Sequence, residues 1–422
     1  MRILHVSTFD TAGGAALAAY RLHRAMVAKG HESRMLVARR DSQDPTVLVR
    51  TRSGDLLSRL RQRVRRWRIR RDFERYRVTR PDWPERFSDD RAWQDWGDEV
   101  RLDSYDVVNL HWIGGLLDHE SFFRSIPQKT PVVWTLHDMN VFTGGCHYDA
   151  GCGKYMQSCG ACPQLGSTRE SDLSRDIWAR KQQLFSRVDT QRLRFVTPSR
   201  WLAAEIRNSS VLGDRFPVSV IPYGVDAHEF APRDRSAARD VLGIPRDARV
   251  ILFLAYSLDA ERKGFRILTE ALERLSSADG NVFVLSVGAG GAPDRLGGPN
   301  LHLGKITQFR LLSMVYSAAD LFVIPSLQDN LPSTVLEAMA CGTPVVGFDV
   351  GGVPDMVRPG VSGALAPVGD ANGLAATISG LLADDAERRR MSEECRRLAV
   401  TEYAMELYVN RYVTLYREEM GA

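Results

Sequence analysis

Residues 320–349 read DLFVIPSLQDNLPSTVLEAMACGTPVVGFD, with an apolar run on either side of a helical pattern. The runs at residues 320–326 and 343–349 are short and rich in β-branched side chains, which is typical of strands buried on both faces. Between them, Pro332 stands in the first turn of a predicted helix and Gly342 ends it. A strand, a helix and a second strand in this order predict a parallel sheet.

The same alternation of apolar runs and helical patterns recurs along the whole chain. Twelve runs are predicted strands: residues 2–8, 33–38, 107–112, 131–137, 194–199, 219–224, 249–257, 281–288, 301–304, 320–326, 343–349 and 363–367. Twelve strands are too many for one doubly wound sheet, and 422 residues are too many for one ordinary core. We therefore predict an α/β protein with two Rossmann-like domains. Pro, Gly and charged residues interrupt the pattern at residues 221–240, where the join is expected.

Composition excludes several classes of protein. Hydrophobic residues make up 44% and charged residues 26%, as in ordinary globular proteins, and the net charge of +4 is too small to indicate a nucleic-acid partner. No apolar run reaches the roughly 18 residues that a membrane span needs. The first residues, MRILHVSTFD, are predicted to form a strand rather than a signal peptide, so we expect a cytoplasmic protein with reduced cysteines.

Chemistry is expected in the loops that follow strands, because ligands bind beyond the carboxyl ends of open parallel sheets. Gly13 and Gly14 follow the first strand, where a glycine turn lets an anion approach backbone amides; a turn that only packs helix on strand is the alternative. Arg262 and Lys263 precede a helix of the second half. Cations oppose the helix dipole there but suit a diphosphate, although a solvated helix start is the alternative.

Two acidic residues are singled out in the opening stretch. Asp329 lies in the loop before the predicted helix, and Glu337 lies within it among apolar residues. A buried carboxylate is costly without a partner, and ligand hydroxyl groups would supply one. Alternatively, Asp329 caps the helix and Glu337 is exposed. Composition alone leaves both interpretations open.

The segment from Asp329 to Glu337, followed by AMACGTPVV and GGVPDMV, resembles the E-x7-E motif of family 4 retaining glycosyltransferases. GGAALAAYRL, TLHD, TPSRWL, IPYGVD, RKG, YSAADLFVIPS and EYAMELYVNRYVTLY occur at the family's usual places, so the resemblance covers most of the chain. It implies the GT-B fold: two Rossmann-like domains with parallel sheets facing across a cleft, and a C-terminal helix crossing back to the N-terminal domain. The expected domains are residues 1–222 on the acceptor side, residues 223–400 for the nucleotide-sugar donor, and the helix of residues 401–422.

The resemblance also implies roles for individual residues. Asp329 is expected at the donor sugar ring, His137 near the donor sugar and Lys263 on the diphosphate, and these three are the expected catalytic residues. His137 could also be a satisfied core histidine at a strand end. The residues expected to bind the donor are Gly13, Gly14, Arg262, Lys263, Gly304, Ile306, Asn330, Leu331 and Glu337, with Glu337 on the ribose and the backbone of residues 303–306 at the base.

This sequence departs from the family pattern at two positions. The first acid of the motif is Asp329 rather than Glu, and Ser257 stands six residues before Lys263, where the family often has Arg. Arg262 is then the guanidinium expected on the diphosphate. The resemblance implies no catalytic metal and no protein base, because the leaving diphosphate accepts the proton of the acceptor.

The implied function is transfer of a hexose, with retention, from a nucleotide sugar to a glycan or lipid-linked acceptor in surface polysaccharide biosynthesis. One alternative is a GT-B nucleotide-sugar 2-epimerase, which would need further acid and base residues. Another is a non-catalytic nucleotide- or carbohydrate-binding protein, which the Asp at position 329 leaves open.

Four cysteines cluster at Cys146, Cys152, Cys159 and Cys162, with two residues between the last pair. This pattern predicts a structural zinc site, with disulfides or free buried thiols as alternatives.

Residues 52–80 hold 12 Arg against three acids, with Leu57, Leu60, Val64 and Trp67 on one helical face. Such a helix either binds an anionic membrane surface, at the inner face of the cytoplasmic membrane, or covers the N-terminal sheet.

Overall fold

The structure is a computed structural model that describes residues 1–50, 56–81, 86–93, 96, 101–276, 281–290 and 298–421. The chain forms two compact units. The first comprises residues 1–221 together with residues 409–422, and the second comprises residues 222–408. The first break therefore falls within the predicted join at residues 221–240.

The first unit is built on a seven-stranded parallel sheet in the order β3-β2-β1-β4-β5-β6-β7. Its strands are β1 (Arg2–Phe9), β2 (Glu32–Arg39), β3 (Val47–Val49), β4 (Val107–Leu110), β5 (Val132–Thr135), β6 (Leu193–Thr197) and β7 (Val218–Val220). Its helices are α1 (Gly14–Ala28), α2 (Leu56–Glu74), α3 (His119–Ser125), α4 (Leu173–Phe185) and α5 (Arg200–Asn208). All four residues of β4 and of β5 are buried, as expected for central strands covered on both faces.

The second unit has a six-stranded parallel sheet in the order β10-β9-β8-β11-β12-β13. Its strands are β8 (Arg249–Ser257), β9 (Val282–Ala289), β10 (Asn300–His302), β11 (Leu321–Ile324), β12 (Val345–Phe348) and β13 (Gly363–Ala366). The remaining helices are α6 (Arg235–Leu242), α7 (Phe265–Ser276), α8 (Phe309–Ala318), α9 (Ser333–Ala340), α10 (Ala371–Ala383), α11 (Asp385–Glu402) and α12 (Met405–Gly421). The opening stretch supplies β11, α9 and β12, and β11 and β12 are parallel neighbours.

All twelve predicted strands are present. β3, a strand of three residues at the edge of the first sheet, is not among the predicted strands. Its residues, Val47, Leu48 and Val49, are all apolar, but a run of three is too short to distinguish a strand from a loop.

The last helix starts later than predicted. Residues 401 and 402 finish α11 rather than open α12, and residues 401–408 belong to the second unit. The chain breaks between the helices because Val225 donates its backbone N–H to Tyr403 O at 2.8 Å and accepts one from Met405 at 3.0 Å. These bonds hold residues 403–405 in an extended bridge that a continuous helix could not form.

The end of α12 packs on the first sheet. Asn109 of β4 donates its side-chain N–H to Tyr416 Oη at 2.6 Å, and Thr135 Oγ1 of β5 lies 2.9 Å from Tyr412 Oη. All four side chains are buried. The C-terminal helix therefore supplies the partners of polar groups in the centre of that sheet.

Helix α2 carries the predicted basic segment. Residues 52–55 and the side chain of Leu57 lie outside what the structure describes. Leu60 and Trp67 are each 59% exposed and Val64 is 41% exposed, so these side chains do not cover the sheet. Instead, Phe73 near the end of the helix packs edge-on against Phe87, with ring centroids 6.1 Å apart. Among the described helices, none is both long and apolar enough to cross a membrane.

Candidate active site

The loops after β8 and β11 carry most of the predicted donor-binding residues. These two strands are neighbours, yet the chain continues from β8 to one side of the sheet and from β11 to the other. Loops that leave neighbouring strands in opposite directions open a crevice at the carboxyl edge of the sheet, where α/β proteins bind ligands. Arg262 and Lys263 lie in the first loop, and Asp329 lies in the second.

A cluster of opposite charges joins the two loops. Lys263 Nζ donates a hydrogen bond to Asp329 Oδ2 at 2.5 Å, and Arg262 Nη1 lies 3.5 Å from Asp329 Oδ1. Ser326 Oγ donates to Asp329 Oδ2 at 3.1 Å, and the N–H of Asn330 donates to Oδ1 at 3.1 Å. The structure thus brings together four of the residues expected at the donor: Arg262, Lys263, Asp329 and Asn330.

The electrostatics of this cluster keep Asp329 ionised. Burial opposes ionisation, but the charges of Lys263 and Arg262 outweigh it and lower the pKa of the Asp329 carboxyl. Arg262 also donates from Nη1 to Gln328 O at 2.7 Å, so its guanidinium is oriented by the backbone of the second loop. The result is a rigid pair of cations on a single carboxylate, at the edge where an anionic ligand would arrive.

Two glycines, Gly264 and Gly351, stand beside this cluster at positions where a side chain would not fit. At Gly264 φ is +69°, and an added Cβ would lie 1.8 Å from Pro325 O. At Gly351 φ is +58°, and a Cβ would lie 2.0 Å from Asp329 O. Only glycine combines this backbone conformation with such close approach, so both residues let neighbouring loops pack against the segment that presents Asp329.

Glu337 is buried inside α9. It is 5% exposed, and its Oε2 accepts a hydrogen bond from Tyr316 Oη at 3.1 Å. The N-cap of α9 is Pro332, without a side-chain capping bond. The alternative in which Asp329 caps the helix and Glu337 is exposed is therefore wrong.

The other predicted residues of the second unit lie at separate places. Gly304 and Ile306 follow β10, at the edge of the sheet and two strands from β8. Gly304 has φ +62° and open space where a Cβ would be. Leu331 is buried directly before α9. Direct contact thus links the charged residues, while Gly304 and Ile306 share only the carboxyl edge with them.

In the first unit, the chain continues from β1 to one side of the sheet and from its neighbour β4 to the other. This arrangement places another crevice at the carboxyl edge of the first sheet. Gly13 follows β1 with φ +93° and is the N-cap of α1. An added Cβ at Gly14 would meet no atom within 4 Å, so packing against described residues does not require glycine there. Open space beside the first turn of a 15-residue helix leaves its amide N–H groups accessible to an anion.

His137 lies two residues after β5 and is buried. Its Nε2 is 3.1 Å from Nδ1 of His111, and burial lowers the pKa of His137 to about 4. The ring lines a cavity with Trp112, Asp138 and His147. The same cavity holds a second network, in which His147 Nδ1 lies 2.6 Å from Asp138 Oδ2. His137 is therefore both part of the core and part of a cavity wall.

The four clustered cysteines line one cavity in the first unit. Burial, with a smaller contribution from nearby thiols, raises the pKa of Cys146 well above its usual range and that of Cys159 to about 11. All six cysteines of the chain are free. Within the described part of the chain, no group of three or more His, Cys, Asp and Glu side chains is arranged to hold a metal ion.

Family comparisons cover both units. A family model described as Glycosyltransferase Family 4 matches residues 12–229, more than half of the chain. The chain belongs to glycosyltransferase family 4. A second model, described as Glycosyl transferases group 1, matches residues 248–384. The resemblance inferred from the sequence motifs is confirmed.

Curated relatives match part of the chain. The D-inositol 3-phosphate glycosyltransferase of Geodermatophilus obscurus is 36% identical over 223 residues, which cover 48% of this chain and 48% of that protein. The protein of the same name from Actinosynnema mirum is 38% identical over 167 residues, covering 36% of this chain and 40% of the relative. The chain spans about half the length, or less, of these relatives.

Solved structures share the fold over nearly the whole chain. Anabaena HepE in complex with UDP-glucose has a TM-score of 0.67 at 17% identity, covering 99% of this chain and 100% of that chain. Sucrose-phosphate synthase from Thermosynechococcus elongatus has a TM-score of 0.66 at 21% identity, covering 99% of both chains. WaaG, a glycosyltransferase involved in lipopolysaccharide biosynthesis, has a TM-score of 0.64 at 17% identity, covering 98% and 99%. The predicted two-domain GT-B fold is confirmed.

Two contact partners of predicted site residues in this family 4 chain are not themselves predicted from the sequence. Tyr316, the partner of Glu337, lies in α8 and reads in the sequence as a core aromatic. His111, the partner of His137, is the second-last residue of the apolar run at residues 107–112 and reads in the sequence as part of a buried strand. A polar tip on a side chain at a strand or helix end is the one signal that could have marked them.

Proposed function

We propose that this chain is a retaining glycosyltransferase that moves a hexose from a nucleotide sugar to an acceptor hydroxyl. The observation that carries the proposal is the Arg262–Lys263–Asp329 cluster at the carboxyl edge of the second sheet. The same unit holds the buried carboxylate of Glu337. Relatives named D-inositol 3-phosphate glycosyltransferase and a neighbour solved with UDP-glucose support a nucleotide-sugar donor.

In this proposal the second unit holds the nucleotide diphosphate. Lys263 and Arg262 stabilise the charge that develops on the leaving diphosphate, which is the main catalytic contribution of preorganised cations. Glu337 accepts hydrogen bonds from the ribose hydroxyls, and Asp329 contacts the donor sugar. Asn330 and Leu331 shape the sugar site, and the backbone at Gly304 and Ile306 contacts the base.

The first unit contributes a neutral histidine and a glycine turn. The amides at Gly13 and Gly14 bind the diphosphate at the start of α1, and His137 contacts the donor sugar. The diphosphate leaving group accepts the proton of the acceptor hydroxyl, so the reaction needs no carboxylate base and no catalytic metal.

The acceptor in this proposal is a glycan or a lipid-linked glycan in surface polysaccharide biosynthesis. Leu60, Val64 and Trp67 form an exposed apolar stripe on α2, and Arg side chains surround it. Exposed apolar residues among cations complement an anionic membrane surface. The chain is thus proposed to act in the cytoplasm, peripherally at the inner face of the cytoplasmic membrane.

We also propose one structural zinc ion on Cys146, Cys152, Cys159 and Cys162. A backbone N–H group already points at one of the sulfurs, because Gly144 donates to Cys159 Sγ at 3.2 Å. Such bonds favour thiolates, which are the form that binds zinc. A zinc tetrathiolate carries negative charge, and the buried ammonium of Lys181 lies near these cysteines. The thiols must draw together on the metal, since their present arrangement is not a ligand set.

A donor screen tests the function. UDP-, GDP- and ADP-sugars are mixed with the protein, and the melting temperature and sugar release are measured, because a ligand selective for the folded state stabilises it. The proposal requires one nucleotide class to stabilise the protein and its sugar to reach an acceptor with the anomeric configuration retained. Epimerised donor without transfer would favour the 2-epimerase. Binding without turnover would favour a non-catalytic binding protein.

A further inference from the structure

Tyr256 is an exposed aromatic residue at the carboxyl end of β8. It is 58% exposed, and among the described residues it shares the exposure of an aromatic ring with Trp67 of α2. The crevice of the second sheet opens between β8 and its neighbour β11. Tyr256 therefore presents an aromatic face, which water solvates poorly, at the edge of the sheet where the donor is proposed to bind.

A β-bulge turns Tyr256 toward this edge. Between Leu254 and Ser257, β8 advances three residues while its partner β9 advances two. The extra residue bends the strand and changes the direction of its side chains, as bulges beside binding sites commonly do. Gly288 of β9 lies against the bulge, where an added Cβ would be 2.3 Å from Ala255 O. The glycine and the bulge together allow a large side chain to leave the sheet at this position.

Lys305 borders the ring from the loop after β10. Its Nζ lies 5.0 Å from the centroid of the Tyr256 ring, and both residues are exposed. β9 stands between β8 and β10, and its last two residues are the small Gly288 and Ala289. Gly288 donates its backbone N–H to Gly304 O at 2.9 Å, which ties the loop of Lys305 to the end of β9. An aromatic face and an ammonium group thus meet above a strand end with little side-chain bulk.

This pair of side chains suits a nucleobase. Bases stack on exposed aromatic rings, and offset stacking covers only part of a ring, so a base and an ammonium group can share one face. The ammonium of Lys305 is a donor without acceptor capacity. The exocyclic keto oxygens of uracil and guanine accept hydrogen bonds, whereas the exocyclic amino group of adenine donates them. The chain that leaves Tyr256 also reaches Lys263 before α7 begins, so it connects the ring with the cations of the charged cluster.

We propose that Tyr256 and Lys305 bind the nucleobase of the donor. The ring of Tyr256 stacks on the base, and the ammonium of Lys305 donates a hydrogen bond to a keto oxygen of the base. This inference rests on the proposed function, because it requires a nucleotide whose diphosphate lies at Lys263 and Arg262. It narrows the donor to a uracil or guanine nucleotide and disfavours an adenine nucleotide.

Calorimetric titrations with UDP, GDP, ADP and inorganic pyrophosphate test the base preference. UDP or GDP should bind wild-type protein more tightly than ADP, on the order of 10-fold for one charge-assisted hydrogen bond. Each nucleotide should also bind more tightly than pyrophosphate, which has no base to stack. ADP as the tightest ligand would overturn the role of Lys305, and a pyrophosphate affinity equal to that of UDP and GDP would overturn the base site.

Two replacements of Tyr256 separate stacking from general damage to the site. Tyr256→Leu keeps an apolar side chain without a π face, so the affinity for the preferred nucleotide should fall on the order of 10-fold. The affinity for pyrophosphate should not change, since a change would show that the charged cluster itself was disturbed. Tyr256→Phe keeps the ring and should bind the nucleotide as wild-type protein does. An unchanged nucleotide affinity in Tyr256→Leu would overturn the proposal.

Replacements of Lys305 test the recognition of the keto oxygen. In Lys305→Met the ratio of affinities between the preferred nucleotide and ADP should fall toward one, because the donor is lost. Lys305→Arg keeps a cationic donor and should preserve the preference. A full preference in Lys305→Met would contradict the role of this residue. These variants also decide the matter if Tyr256→Leu does not fold.

Failure of this inference is distinguishable from failure of the proposed function, because the titrations need no turnover. Sugar transfer by a Tyr256→Leu protein with unchanged nucleotide affinity would overturn the base site alone. The expected affinities without sugar transfer would overturn the transferase assignment alone. Wild-type protein that binds none of the three nucleotides would overturn both.

Discussion

Replacing Lys263 with Met removes one ammonium and keeps most of the side-chain stem. The Lys263 side chain is 23% exposed, and its Nζ lies 2.5 Å from Asp329 Oδ2. If it stabilises the leaving diphosphate, its loss should lower turnover on the order of 10²-fold, or about 2.7 kcal/mol of transition-state stabilisation. The neighbouring Arg262 remains, so turnover should not vanish.

The same variant perturbs folding through Asp329. This carboxylate keeps Arg262 at 3.5 Å and Ser326 at 3.1 Å, so the destabilisation should stay below the roughly 3 kcal/mol expected for a fully buried unpaired charge. Because the pKa of Asp329 is lowered in the folded state, its ionised form adds stability above the ordinary carboxyl pKa. That contribution is lost as pH falls through the lowered pKa, and it should shrink in Lys263→Met.

Two assays separate catalysis from folding. The double variant Lys263→Met, Asp329→Asn removes both charges, so it should regain stability while its turnover stays low. Competition with a nucleoside and with its diphosphate then locates the lost interaction: wild-type protein should prefer the diphosphate, and Lys263→Met should prefer it less. Unchanged turnover in the folded single variant, or equal loss of affinity for both competitors, would refute the reasoning.

Three further predictions concern other residues. Glu337→Gln should weaken nucleotide-sugar binding strongly in calorimetry while the fold is kept, and unchanged affinity would remove Glu337 from the ribose site. Purified, tag-free protein should contain about one zinc per chain. The zinc should be lost in Cys152→Ser and kept in the control Cys341→Ser, because Cys341 lies outside the cysteine cluster. Protein without metal, or two disulfides found by mass spectrometry, would contradict the zinc site. The protein should bind anionic but not neutral vesicles, and it should bind them less at high salt. Trp67→Ser should weaken this binding, whereas the control Val241→Ser, which replaces another exposed apolar residue outside α2, should not. Absence of vesicle binding in wild-type protein would mean that α2 has another role.

The strands could be predicted because parallel strands buried on both faces are continuous apolar runs. Residues 345–348, for example, are all buried and stand between a proline and an aspartate. β3 could not be predicted, since its apolar run of three residues is too short to indicate a strand. The start of α12 was also beyond local pattern, because the bridge to Val225 that interrupts the helix is a contact between distant parts of the chain.

The sequence was enough to predict which residues belong to the candidate site, but not which of them contact one another. Motif spacing indicated Lys263 and Asp329 separately, whereas their hydrogen bond follows from the adjacency of β8 and β11, which is a property of the sheet. The alternative of an exposed Glu337 arose because a carboxylate in a helix is usually solvated. Its partner Tyr316 stands 21 positions away in another helix, where no periodicity points to it.

The packing of α12 has a consequence for the order in which the protein can be made. Asn109 and Thr135, in the middle of the first sheet, bond to Tyr416 and Tyr412, which are translated 307 and 277 residues later. The second unit is one continuous stretch and can finish folding once its residues have left the ribosome. The first unit, although most of it is synthesised before the second, reaches its final packing only after α12 has been made. A premature stop before Tyr412 would therefore damage a sheet whose strands all lie within residues 2–220.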